Sequence, residues 1–155
     1  MSALLAQMEA SGLATWVRES PSLWAYPTIL TLHSIGLGIV VGASVIVDLR
    51  LLGRARALGS ADVSGLYPII WWAFAVNATT GALLFAADAT RKSAQPIFLV
   101  KLACIAVALI ATLRTRPLAN GSDLRPGRGT GTLPAVLSLL GWLGAIAAGR
   151  MMAYL

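Results

Sequence analysis

The sequence predicts an all-α, polytopic membrane protein: four transmembrane helices in an antiparallel bundle, preceded by an N-terminal amphipathic helix at the membrane interface. Two observations lead to this prediction. Of the 155 residues, 57% are hydrophobic and 12% are charged, with a mean hydropathy of +0.78, whereas soluble domains average about 45–50% apolar and about 25% charged residues. The apolar residues also form four runs, each near the roughly 20 residues that a helix needs to cross a bilayer.

Residues 1–20 are expected to form the amphipathic interfacial helix. Their apolar side chains recur at roughly helical spacing, which is typical of such a helix. These side chains are Leu4, Leu5, Met8, Leu13, Trp16 and Val17. A proline disfavours helical backbone in the residue before it, so we expect this helix to end before Pro21.

Residues 21–155 are expected to form one domain of four spans. The first span, about 24–50, begins with Trp and Tyr residues, which favour the headgroup level of a membrane. The second, about 66–88, also has an aromatic entry and carries a polar centre at Asn77. The loop 53–65 between them is basic and rich in Gly, Ala and Ser.

The third and fourth spans are predicted at about 96–113 and about 134–154. The loop 114–133 between them contains Pro, Gly, Asn and Ser, and we expect it to lack regular structure. Small residues that let two helices approach closely recur on the first and fourth spans, and they predict a homo-oligomer or a larger membrane complex. These residues are Gly38, Gly42, Gly141, Ala145 and Gly149.

The distribution of basic residues predicts the orientation of the bundle in the lipid bilayer. Seven arginines lie in or beside the loops after the first and third spans, against four Lys or Arg residues at the opposite ends of the spans. The positive-inside rule therefore places both loops in the cytoplasm and both termini outside. Because the net charge of +6 comes mostly from these loops, we do not expect a nucleic-acid partner.

One polar side chain on each span lies in the predicted outer half of the bundle: His33, Asn77, Lys101 and Arg150. Polar groups at membrane depth tend to face the bundle interior and to mark functional sites. His33, the only histidine, is the candidate metal ligand, since a neutral imidazole can be an axial ligand of b-type haem. Gly36, one turn along the helix, would leave room for the flat macrocycle. Asn77, Lys101 and Arg150 complete the predicted cofactor site.

Each of these residues also has a structural alternative. His33 would then bond to a backbone carbonyl or to Asn77 and fix helix packing. As site residues, Lys101 and Arg150 would hold haem propionates or a quinone head group. In the structural alternative they would carry their charges to the membrane surface on long side chains.

A single histidine cannot supply both axial ligands of a haem. The haem would therefore be five-coordinate, or would take Met151 or Met152, or would take His33 from a second subunit.

Asp48 and Arg50 mark the inner end of the first span. Because these two residues are two positions apart, their side chains point to different faces of the helix. We therefore expect each to meet a partner on another helix or loop. A proton-carrying role for Asp48 is the alternative.

Four segments spread over residues 24–155 resemble, in this order, a family of small bacterial inner-membrane proteins, a domain of unknown function with four predicted spans. The segments are W-x-Y-P-x4-LHSIGLGIVVG-x5-DLRLLG, N-x-TTGALLFAAD, PIFLVKLA and WLGAIAAGRMMAYL. The resemblance implies a multi-pass protein of the bacterial inner membrane and brings no activity with it. The chain is also similar to haem-binding and copper-related four-helix membrane proteins, which place a histidine on an early helix and a lysine near the start of a later one, as with His33 and Lys101.

We expect an integral membrane subunit that binds b-type haem and passes electrons between a periplasmic partner and quinone. The alternatives are a non-catalytic assembly or anchoring subunit of a larger membrane complex, and a small-solute or ion transporter. The transporter is disfavoured because no internal repeat is visible, whereas many transporter folds contain one. The sequence contains no nucleotide-binding loop, zinc-ligand spacing or Ser/His/Asp arrangement. Whether the protein is an enzyme stays open.

Overall fold

The computed structural model describes residues 2–55, 57–120 and 131–154, and in these ranges the chain is all-helical. Four helices, α3, α5, α7 and α8, are long and apolar enough to cross a membrane. The helices of the described ranges are α1 (Ser2–Glu9), α2 (Gly12–Glu19), α3 (Tyr26–Leu51), α4 (Ser60–Ser64), α5 (Leu66–Ala86), α6 (Ala89–Ala94), α7 (Pro96–Asn120) and α8 (Thr132–Met151).

The third long helix extends further than the sequence indicated. α7 continues to Asn120 and α8 begins at Thr132, so the prediction that 114–133 lacks regular structure is wrong for its first seven residues and for its last two; residues 121–130 lie outside the described residues. Pro117 lies inside α7 and removes one backbone hydrogen bond. The extension contributes the buried Thr115, whose Oγ1 accepts a hydrogen bond of 3.1 Å from the Tyr67 hydroxyl of α5. This contact stabilises the helix end against the cost of the proline.

Three short segments also differ from their predictions. The single helix expected over residues 1–20 is two helices, α1 and α2, separated at Ala10 and Ser11. Ser11 has extended backbone and caps α2, its Oγ accepting a hydrogen bond of 3.3 Å from the Ala14 backbone N–H. A serine at this position favours a new helix start. The loop after α3 contains α4, and the turn after α5 contains α6.

The four long helices pack mainly as two pairs, α3 with α5 and α7 with α8, and α3 also contacts α8. Glycines allow the close approach within each pair. A Cβ placed on Gly36 of α3 would lie 3.2 Å from the Ala73 carbonyl oxygen of α5. A Cβ on Gly141 of α8 would lie 2.9 Å from the Ala108 backbone nitrogen of α7. The backbones therefore come close enough that even a methyl group is crowded.

The small residues predicted to bind a second chain divide into two groups. On α8, Gly141 and Gly149 face α7 of the same chain, so this stripe is used inside the molecule. Gly38 and Gly42 of α3 are exposed, and no atom of the described residues lies within 4 Å of a Cβ placed on either. Only the α3 glycines thus leave an open face.

The N-terminal helices dock on the end of the bundle where α5 ends. Val17 of α2 is fully buried there. Arg18 Nη1 donates to the Ala87 carbonyl at 3.2 Å, and the Glu9 carboxylate accepts bonds from the Thr90 hydroxyl at 2.6 Å and backbone N–H at 3.2 Å. These two bonds lower the pKa of Glu9. α1 and α2 are therefore attached by polar contacts as well as by apolar burial.

We predict that Gly141→Ala destabilises the fold, whereas Gly38→Ala does not. The new methyl group at Gly141 would meet α7 at 2.9 Å, and overpacking of this kind costs about 1–3 kcal/mol. The gain from replacing a helical glycine, about 1 kcal/mol, offsets only part of this cost. Reversible unfolding in mixed micelles measures both variants. Equal free energies of unfolding for the two variants would contradict the close packing of α7 against Gly141.

We also predict that α1 detaches from α6 at low pH. Because the folded-state pKa of Glu9 is lowered, its contribution to docking is present above the unfolded value of about 4.3 and is lost as pH falls through the folded value. The NMR signal of the Thr90 amide in micelles reports the change. In Glu9→Gln the acceptor stays neutral, so the Thr90 signal should not follow the same titration; identical pH profiles in both proteins would rule the linkage out.

Candidate functional site

His33 and Asn77 form a reciprocal pair between α3 and α5. His33 Nδ1 lies 3.0 Å from the backbone carbonyl oxygen of Asn77, and Asn77 Nδ2 donates to the backbone carbonyl of His33 at 2.7 Å. The side chain of each residue thus bonds to the backbone of the other. We call these two bonds the His33–Asn77 pair. The contact is the one that the structural alternative for His33 predicted, and it ties α3 to α5.

The pair determines which nitrogen of the imidazole carries the proton. A carbonyl oxygen can only accept, so the bond to Asn77 requires the proton on Nδ1 and leaves the lone pair of a neutral ring on Nε2. Thr80 Oγ1, 3.2 Å from Nδ1, donates its own proton to the Val76 carbonyl and serves as a second acceptor. In the described part of the chain, Nε2 has no hydrogen-bond partner. Histidines that bind metals are often oriented in this way.

Two glycines shape the space around the imidazole. A Cβ on Gly81 would lie 3.0 Å from His33 Cε1, so Gly81 makes room for the ring. Gly36 was expected to leave room for a haem macrocycle, and this expectation is wrong. A Cβ on Gly36 would lie 3.3 Å from Asn77 N, so α5 already fills the space beside it.

Two half-buried lysines lie near His33. Lys101 of α7 packs against α8, with Nζ 3.6 Å from a Cβ placed on Gly149. Lys92 of α6 donates to the Leu84 carbonyl, and burial lowers the pKa of its ammonium. The charges of both lysines act on the imidazole. We call His33, Asn77, Lys92 and Lys101 the His33 cluster; the sequence had indicated all but Lys92, which it assigned to a turn.

Arg150 has a different environment from the other predicted site residues. Its side chain is exposed, and its guanidinium carbon lies 5.8 Å from the centre of the Tyr154 ring, a cation–π contact. Among the described residues, no hydrogen bond or ion pair joins the Arg150 side chain to the His33 cluster. The exposed position agrees with the structural alternative for this residue.

A second group of polar side chains lies deeper in the core, towards the other end of α3. We call it the Asp48 cluster, and it consists of Ser44, Asp48, Tyr67, Thr115 and Ser138. The Asp48 carboxyl interacts with the Ser138 hydroxyl of α8, and Arg50 Nε donates to the Leu58 carbonyl at 2.7 Å. Both residues thus meet other segments, as expected. The spacing of Ser44 and Asp48, four residues apart on one helix face, would have indicated part of the cluster from sequence.

Comparisons of the chain with protein-family models, with curated proteins and with solved structures found no match. Its function is therefore inferred from its own residues.

We predict that His33→Ala and Asn77→Ala each lower stability by about 0.6–1.7 kcal/mol, the range for interhelical hydrogen bonds in membranes. Since each side chain bonds to the other's backbone, the double variant should lose nearly the sum, with a coupling below about 0.5 kcal/mol. Unfolding in mixed micelles measures the cycle. Thr79→Ala is the control, because its exposed hydroxyl bonds only within its own helix.

A coupling energy well above this value would contradict the tautomer assigned to the His33 imidazole. It would mean that Asn77 Nδ2, 3.3 Å from His33 Nδ1, donates to that nitrogen, which reverses the tautomer and removes the free lone pair from Nε2.

Proposed function

We propose that this chain is an integral membrane subunit whose four long helices cross a bacterial inner membrane as an antiparallel bundle, with both termini in the periplasm. The lengths and apolar composition of the helices support membrane insertion. Contacts of early α3 with late α5, and of Lys101 with Gly149, support the antiparallel order. The arginine-rich loops support the orientation. The His33 cluster would then lie at the periplasmic end, beneath α1 and α2.

In this proposal the His33 cluster binds b-type haem, with His33 Nε2 as the axial ligand. The observation that supports it is the bond between His33 Nδ1 and the Asn77 carbonyl, because it fixes the ring and leaves Nε2 with the lone pair that iron requires. Lys92 and Lys101 would hold the propionates through charge-assisted hydrogen bonds. Bound haem would supply one-electron transfer between a periplasmic partner and quinone.

The side chains of the His33 cluster have the chemistry to bind a haem, but the space beside Gly36 cannot accommodate one. α3 and α5 are in contact at Gly36, so a macrocycle does not fit between these two helices. Within the described residues, no three His, Cys, Asp or Glu side chains form a metal-binding group. His33 would therefore be the one histidine ligand that this chain supplies, and the haem would be five-coordinate or would take Met151, Met152 or His33 of a second copy.

The second candidate is a non-catalytic anchoring subunit of a larger membrane complex. It is favoured by the His33–Asn77 pair, whose two hydrogen bonds satisfy four polar groups of these two residues without any cofactor. The docked N-terminal helices would supply the surface for a partner, since Leu4, Leu13 and Trp16 remain exposed on them.

Absorption spectra of the purified full-length chain, oxidised and then reduced, test the haem proposal. Expressed with ample haem, the wild type should show a Soret band that His33→Ala removes. Thr79→Ala should retain the band, because its side chain is exposed and bonds only within α5.

A colourless wild-type preparation would reject the haem proposal. Stable co-purification with a membrane complex, unaffected by His33→Ala, would then support the anchoring subunit.

A further inference from the structure

Asp48 is buried in the protein without a cation. Its side chain is 1% exposed, three residues before the end of α3. A bare carboxylate removed from water is costly unless it is paired, neutralised or bound to a cation. Arg50 directs Nε to the Leu58 carbonyl, and no charged side chain of the described residues neutralises Asp48. Something other than an ion pair must therefore stabilise this carboxyl group.

Several unpartnered polar atoms accompany the carboxyl group on α3 and α8. Ser44 lies one turn away on the same face of α3, and Ser138 of α8 interacts with Asp48 without reaching full hydrogen-bond geometry. Each of these side chains is at most 1% exposed. The buried atoms that have no hydrogen-bond partner among the described residues include Ser44 Oγ, Asp48 Oδ2 and Ser138 Oγ. Native structures leave few such atoms, and each requires an explanation.

The other two long helices complete the Asp48 cluster. The Tyr67 hydroxyl of α5 donates a hydrogen bond to Thr115 Oγ1 of α7, and the Thr115 hydroxyl donates one to the Thr112 carbonyl at 2.8 Å. The Tyr67 oxygen keeps a lone pair that can accept. The charge of Asp48 acts on Tyr67. On α7, Arg116 is the charged residue that also acts on Tyr67, so α3, α5, α7 and α8 all contribute to one buried polar region.

We infer that the Asp48 cluster binds one monovalent cation, a proton or Na⁺, at the Asp48 carboxylate. Carboxylate and hydroxyl oxygens are the ligands that hard cations take, and Ser44 and Ser138 supply two hydroxyl oxygens beside the carboxyl group. A single positive charge neutralises the site, whereas a divalent ion would leave one uncompensated charge in the core. A bound proton would turn Asp48 Oδ2 into a donor for a serine oxygen or an enclosed water.

This inference goes beyond the proposed haem function and does not depend on it. The two sites lie at different levels of the bundle, and the Asp48 cluster shares no residue with the His33 cluster. An ionisable group held inside a membrane bundle commonly marks an ion or proton site.

Two measurements on the full-length chain in micelles test the inference. The first follows thermal unfolding with increasing NaCl, against choline chloride at matched ionic strength. The second records the ¹³C carboxyl signals of labelled aspartates across the neutral pH range. Asp48→Asn keeps the shape of the side chain and removes its charge. Asp88→Asn is the matched control, because Asp88 lies beside Arg91 on α6, outside the cluster.

For Na⁺, we expect a midpoint that rises with NaCl in the wild type and in Asp88→Asn, but not in Asp48→Asn. For a proton, we expect no specific effect of Na⁺ and a carboxyl signal of a protonated acid at neutral pH that Asp48→Asn removes. Ser138→Ala should weaken the Na⁺ response several-fold and gives a second variant if Asp48→Asn does not fold. An ionised Asp48 signal at neutral pH, with equal stability in sodium and choline, would overturn the inference. A colourless preparation would not affect it.

Discussion

Close contact between helix backbones at two glycines is the constraint on which the rest of the structure depends. In a bilayer, where we propose that these helices lie, the hydrophobic effect does not draw helices together, so packing and interhelical hydrogen bonds must do so. Gly36 brings α3 against α5, and Gly141 brings α8 against α7. The His33–Asn77 pair forms only because α3 and α5 approach this closely one turn from Gly36. The polar contacts between α3 and α5 therefore depend on the close packing of these two helices.

The polar residues fall into two clusters with different chemistry. The His33 cluster lies where the N-terminal helices dock, is half-buried and carries positive charge from Lys92 and Lys101. The Asp48 cluster is almost completely buried and contains one carboxyl group among hydroxyl groups. The first suits an anionic or iron-containing ligand, and the second suits a small cation. One small bundle thus contains two polar clusters, one with basic side chains and one with a carboxyl group.

Much of the fold could be predicted from composition and spacing, and part of the site could not. The four long helices follow from the length of the apolar runs. The contact of His33 with Asn77 follows from the need of polar side chains on apolar helices for hydrogen-bond partners. The extension of α7 to Asn120 did not follow, because it depends on Thr115 meeting Tyr67 of another helix. The role of Gly36 was predicted wrongly for a related reason: a glycine in a sequence indicates possible space, but a neighbouring helix decides whether that space is filled.

The sequence by itself determined that the chain forms four helices of membrane-spanning length, since apolar length and composition are local properties of each segment. It also indicated that His33 and Asp48 are costly enough to need partners. Only the tertiary structure decided which partners they have, because this depends on how each helix is rotated about its axis and on which glycines allow contact. Ser138 comes next to Asp48 through the packing of α8 on α3, and nothing in their spacing along the chain encodes that contact.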